Sequence, residues 1–139
     1  EALGIARAMA ATGLPYVISF VIGRDGHILD GTSLETAVDL IDNNTANSPL
    51  GYMINCAHPS FLHPHSLSQS TLNRLIGFQA NASSLDHCEL ENADELQVDS
   101  ITEWGDRMLE FNRDYGVKIL GGCCGTSIEH LQYLVQRCG

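Results

Sequence analysis

Apolar positions follow two rhythms that alternate along the chain. Short, nearly continuous apolar runs from Leu14 to Ile22 and over Val117, Ile119 and Leu120 predict strands covered on both faces, with a further strand from Gly51 to Cys56 and a weaker one from Gly77 to about Ala82. Between them, apolar residues recur at helical spacing: Leu34, Ala37, Val38 and Ile41; Leu72, Leu75 and Ile76; Ile101, Trp104, Met108 and Phe111; and Ile128, Leu131, Leu134, Val135 and Cys138. An alanine-rich helix from Glu1 to Ala11 precedes the first strand and stops at Gly13. Four Ser/Thr-x-x-Glu/Gln pairs predict capping boxes at the starts of the later helices: Thr32 with Glu35, Ser66 with Gln69, Ser100 with Glu103 and Thr126 with Glu129. Asp25 and Gly26 predict a turn that closes a small hairpin.

One leading helix followed by four strand–helix units predicts an α/β fold with a parallel sheet and right-handed crossovers. The segments GTSLE (31–35) and GTSIE (125–129) repeat almost verbatim. Four such units are the carboxyl-terminal half of a (β/α)8 TIM barrel, and residues 1–139 read as one partial domain of that kind. An open half leaves strand edges and inward side chains bare, so a missing half-barrel or self-association is expected.

Composition narrows the partners. Apolar residues make up 44% of the chain, enough for a core, and 7 basic against 17 acidic residues give a net charge of −10. Nucleic acid and anionic membrane surfaces are thereby disfavoured, and no apolar run is long enough to span a membrane. Five cysteines, an odd number without small-scaffold spacing, predict reduced thiols in a cytoplasmic setting. The absence of a signal peptide fits that setting, and Glu1 in place of methionine suggests a fragment or a processed product. Residues 83–99 form a long acidic loop with His87 and Cys88, and its 94–99 stretch reads as a solvated face.

The chemistry concentrates in GGCCGT, residues 121–126. Cys123 and Cys124 fall at the carboxyl end of a strand and just before a helix amino terminus, where sites in α/β proteins are built and where amides and the helix dipole favour a thiolate. The flanking glycines permit close backbone approach and positive φ. Taken alone, the pair reads equally as metal ligands or as a vicinal disulfide or buried thiols. Cys56 also ends an apolar strand, about two βα units earlier, so three thiolates converge on one end of one sheet. Three sulfurs and one open position suit a catalytic Zn²⁺. A non-catalytic zinc-binding or thiol redox module is the rival reading. His58, His63 and His65, interrupted by Pro59 and Pro64, read as solvated loop residues, His27, His87 and His130 carry no functional reading, and Trp104, Phe20 and Phe61 read as core.

The motifs YMINC, FQANAS and GGCCGT, in that order and spacing, resemble the homocysteine S-methyltransferase family, and the resemblance extends to EA at the start, LP before a strand, DG and then DGTSL. It covers essentially the whole chain and corresponds to units five to eight of the family's barrel. The family's amino-terminal half, with its DGG segment and the glutamate that ends its fourth strand, has no counterpart here. The resemblance implies that Cys56, Cys123 and Cys124 are zinc ligands, that Asn81 lies near the substrate, and that the backbone of Gly121 and Gly122 passes close to the amino acid. It also implies transfer of a methyl group to the thiol of homocysteine, giving methionine. The donor is S-methylmethionine or S-adenosylmethionine by preference, with betaine or a methylated folate as alternatives.

Overall fold

A computed structural model describes residues 1–85 and 98–138. Helix α1 (Ala2–Ala11) leads into strand β1 (Val17–Phe20), followed by α2 (Leu34–Asp42), β2 (Gly51–Ala57), α3 (Gln69–Arg74), β3 (Leu75–Ala80), α4 (Ile101–Tyr115), β4 (Ile119–Gly122) and α5 (Ile128–Arg137). Two 3₁₀ turns, Pro59–Phe61 and Pro64–Ser66, fill the link from β2 to α3. The strands form one parallel sheet in the order β1-β2-β3-β4. Sequential parallel order with a helix after each strand is the arrangement of a (β/α)8 half-barrel.

The helices cover one face of the sheet. Ile18, Phe20, Tyr52, Ile54, Phe78 and Ala80 are buried there beneath Val38, Ile41, Trp104, Met108, Phe111 and Leu134. Phe20 stacks on Tyr52 and Phe78 on Phe111. Gly105 in α4 leaves room for the Tyr133 ring of α5, where a Cβ would approach to 2.2 Å. The other face is open. Residues that alternate with the core positions, Val17, Ser19, Met53, Asn55, Gln79 and Ile119, are half-buried or exposed, with Val17 at 38% and Ile119 at 48%. The expectation that the first and last strands are covered on both faces is therefore corrected: only the helix side is filled, because four strands cannot curl round to supply their own interior.

Several helix starts shift from their expected positions. The cap of α2 is Ser33, whose hydroxyl accepts from Thr36 N–H, rather than Thr32. Glu35 instead accepts from Ser68 N–H at 3.1 Å and from the Thr71 hydroxyl at 3.3 Å, tying α2 to α3. Helix α3 is capped by Ser68, two residues beyond Ser66, which the turn after Pro64 occupies. Leu75 and Ile76, expected on the helix stripe, begin β3. Ser100 caps α4 as expected, accepting from Glu103 N–H. The repeat is structural as well as sequential: Gly31 and Gly125 both take positive φ, and Ser33 and Ser127 both precede a helix. The Asp25–Gly26 turn closes the antiparallel bridge Ile22–Ile28, and a second turn through Gly31 closes the bridge His27–Ser33. His87 and Cys88 lie outside the described residues.

Hydrogen bonds from Ser68, with one from Thr71, hold the Glu35 carboxyl below its ordinary value of 4.5. A carboxyl lowered in the folded state stabilises above its unfolded pKa and loses that contribution as pH falls through its folded pKa. Glu35→Gln is accordingly expected to lower the unfolding midpoint at neutral pH, and the gap to the parent should close as the pH drops below 4.5. Thermal unfolding at stepped pH measures it, and a gap that widens on acidification would contradict the assignment.

Candidate metal centre

Strands β2 and β4 flank β3, and their carboxyl ends converge across its tip. Asn55 pairs with Gln79 while Ala57 pairs with Ala80, so β2 carries one residue more than β3 at this point. That extra residue is Cys56, a bulge with φ of +50°, which no other non-glycine residue shows among those described. The bulge breaks the in–out alternation of the strand, and the Cys56 sulfur comes to 2.7 Å from that of Cys123. Cys123 and Cys124 follow β4 directly. Cys123 N–H donates to Ala80 C=O at 2.8 Å, and Cys124 C=O accepts from Ala82 N–H at 3.0 Å, fastening the pair to the tip of β3.

The three sulfurs lie within 4.8 Å of one another, with 3.9 Å between Cys123 and Cys124. Ligands at the ordinary Zn–S length of about 2.3 Å stand about 3.8 Å apart on a tetrahedron. The observed separations bracket that value, and soft thiolates from two strand ends form a donor set able to hold a metal. Burial, reinforced by the hydrogen bond with Cys123, pushes the Cys56 thiol up to about 11. Burial also opposes ionisation of Cys123, yet hydrogen bonds from Cys56 and from the Cys124 backbone outweigh it and lower its pKa. Of this hydrogen-bonded pair, Cys123 is the thiol favoured to ionise first.

A left-handed φ at a residue with a Cβ costs about 1–2 kcal/mol. Without metal, Cys56→Gly is therefore expected to be more stable than Cys56→Ala by about 1 kcal/mol, although neither retains the ligand. Chemical denaturation of the two metal-free variants checks it; equal midpoints would mean that the bulge holds no strain.

Sequence reasoning placed other residues here. Asn81 is 4% exposed at the tip of β3. Its backbone N–H donates to Ala57 C=O, its C=O accepts from Trp104 Nε1–H at 2.9 Å, and its side-chain Oδ1 is buried without a hydrogen-bond partner among the described residues. Gly121 and Gly122 end β4 without positive φ; the left-handed glycine of the motif is Gly125. A Cβ on Gly122 would meet the Thr126 hydroxyl at 2.2 Å, whereas one on Gly121 would make ordinary contact with Gln79. Thr126 does not cap α5. Its hydroxyl donates to Cys123 C=O at 2.7 Å and clamps the cysteine turn, and Ser127 is the cap.

Two histidines were underrated. His58 is 8% exposed rather than solvated, with Nδ1 beside the Ser60 hydroxyl and Nε2 3.4 Å from Asp99. His130 is 2% exposed and receives Ser127 N–H at Nδ1. A capping box closed by histidine in place of glutamate or glutamine was the signal that went unread. Phe20, Phe61 and Trp104 are core, as expected.

A parallel half-barrel whose thiols gather at the carboxyl ends of its strands carries a donor set able to hold a metal on the rim where folds of this class build their sites. The sequence model of the homocysteine S-methyltransferase family matches residues 1–138, and the chain belongs to that family. Among solved structures, the metallated form of the homocysteine methyltransferase MmuM from Escherichia coli is similar, with a TM-score of 0.60 at 19% identity over 97% of this chain. The chain spans 40% of that protein's length. Comparison with curated protein sequences returns no match.

Proposed function

We propose that this chain is the carboxyl-terminal part of a zinc-dependent enzyme that transfers a methyl group from a sulfonium donor, S-methylmethionine or S-adenosylmethionine, to the thiol of homocysteine. The observation that carries the reading is the convergence of Cys56, Cys123 and Cys124 within 4.8 Å at the carboxyl rim of the sheet, in a chain of this family. These three thiolates would hold Zn²⁺ and leave one position for the substrate sulfur. Zinc bound there would supply Lewis acidity that ionises the homocysteine thiol near neutral pH.

The remaining steps belong to the chain's own groups. The Oδ1 of Asn81, buried and without a partner among the described residues, is assigned to the ammonium group of the amino acid, beside a tip already fastened to Cys124. Gly121, whose missing Cβ would only touch Gln79, keeps the backbone before the cysteines bare for the amino acid, while Gly122 makes room for the Thr126 clamp. The substrate sulfur forms the new C–S bond as the donor's C–S bond breaks, its electron pair going to the departing sulfur, and the thiol proton leaves to solvent. Oriented this way, the reaction needs little beyond in-line placement.

Elemental analysis of reduced, chelator-free protein tests the metal assignment. About one zinc per chain, with homocysteine binding that requires it, is expected. A zinc-free chain that loses about two protons between Cys123 and Cys124 in the absence of reductant, reversibly on adding thiol, would instead make the pair a redox device.

A further inference from the structure

The loop that carries Cys123 and Cys124 is the start of a closed circuit of contacts. Cys124 C=O accepts from Ala82 N–H at 3.0 Å. The preceding residue, Asn81, gives its C=O to Trp104 Nε1–H at 2.9 Å, both groups buried. The Trp104 ring meets the His130 ring at right angles, 89° between planes and 5.0 Å between centroids. His130 Nδ1 in turn accepts from Ser127 N–H at 3.1 Å, and Ser127 lies three residues beyond Cys124. The circuit links the tip of β3, the first turn of α4, the first turn of α5 and the cysteine turn.

Within it, His130 is the residue whose chemistry is least replaceable. An amide N–H pointing at Nδ1 requires a lone pair there, so the ring proton sits on Nε2. Nε2 is itself buried without a hydrogen-bond partner among the described residues. The ring perpendicular to it at this distance is the Trp104 indole, whose π system can accept an N–H presented to it. Burial lowers the pKa of His130, with Glu129 opposing, which keeps the ring neutral as the geometry requires.

We propose that His130 is a positioning residue for the metal centre: as the Nε2–H tautomer it locks the Cys123–Cys124 turn to Trp104, and through Trp104 to Asn81, so that the cysteine pair is arranged before a metal arrives. The proposal rests on the three-cysteine metal site. It assigns no contact between His130 and the sulfurs, only control of the loop that bears them.

Co²⁺ and Zn²⁺ serve as probes on the chain as it stands. His130→Leu keeps an apolar side chain but removes the acceptor, whereas His130→Gln restores an acceptor at the third helical position. His130→Leu is expected to weaken Zn²⁺ about tenfold in competition with a chromophoric chelator and to broaden the Co²⁺ thiolate absorption bands. His130→Gln should recover most of both. The ¹³Cδ2 and ¹⁵N shifts of the parent, assigned by the resonance missing in His130→Gln, should report the Nε2–H tautomer. An Nδ1–H tautomer, or Zn²⁺ affinity unchanged in a folded His130→Leu, overturns the proposal. If His130→Leu does not fold, the tautomer and the His130→Gln affinity decide it. Failure of the parent to bind either metal would instead refute the metal reading beneath it.

Discussion

Serine in place of Cys123 is expected to lower Zn²⁺ affinity by about 100- to 1,000-fold while leaving the sheet intact. Structural zinc sites are worth about 10–16 kcal/mol with four ligands, so each thiolate accounts for about 3 kcal/mol. A hydroxyl replaces it poorly, being hard and un-ionised near neutrality. Cys123 is also the thiol whose pKa is lowered and whose sulfur lies close to both others, 2.7 Å from Cys56 and 3.9 Å from Cys124. Its backbone bond to Ala80 does not depend on the side chain, so the strand end should persist. Chelator competition and far-UV circular dichroism read the two effects separately. Affinity within threefold of the parent would remove Cys123 from the ligand set, and Cys138, exposed near the end of α5, supplies a control whose serine variant should bind normally.

The second large effect concerns catalysis by an assembled barrel. Alone, the chain presents Val17, Met53 and Ile119 on an uncovered face, and three cysteines able to hold a metal stand on its rim. The MmuM protein is longer by the part that this chain does not cover. Supplying an amino-terminal half-barrel of the same family, as a second chain, is expected to raise methionine formation at least about 1,000-fold, because fixing both substrates in line accounts for factors of that size or more. Ile119→Asp should abolish the gain by placing a charge in the closed interior. Methionine is quantified by mass spectrometry with each of the four donor classes in turn, which also decides among them. Turnover by the lone chain equal to that of the pair would show that no second half is needed.

How much of this was legible beforehand depended on how local the cause was. The four strands and their parallel order follow from runs such as YMIN and from one helix per strand, patterns contained within single segments. Cap positions were less legible. Thr32–Glu35 and Thr126–Glu129 both satisfy the capping-box pattern, but Glu35 is drawn away by Ser68 and Thr71, and Thr126 by the carbonyl of Cys123. Those competitors lie on other elements or in the turn itself, so spacing along the helix could not weigh them. The cysteines were legible as a group because each follows a strand; the bulge that turns Cys56 toward Cys123 was not, since it arises from the mismatch between Asn55–Ala57 and Gln79–Ala80. His58 resembles a surface residue in sequence and only its burial beside Asp99 reveals otherwise, whereas His130 is marked by its spacing from Ser127 but by nothing that foretells Trp104 against it.

The order of the strands bears on how such a protein comes together. Every pairing in the sheet joins consecutive units: Val17 with Gly51, Met53 with Gly77, Gly77 with Ile119. No pairing waits for a distant part of the polypeptide, so the entropy of closing each connection is modest. Joining the outer edges of β1 and β4 to another sheet is a separate event, and when that sheet is another molecule, its rate depends on concentration. Ring closure then follows second-order kinetics, whereas the sheet itself forms at a rate independent of dilution.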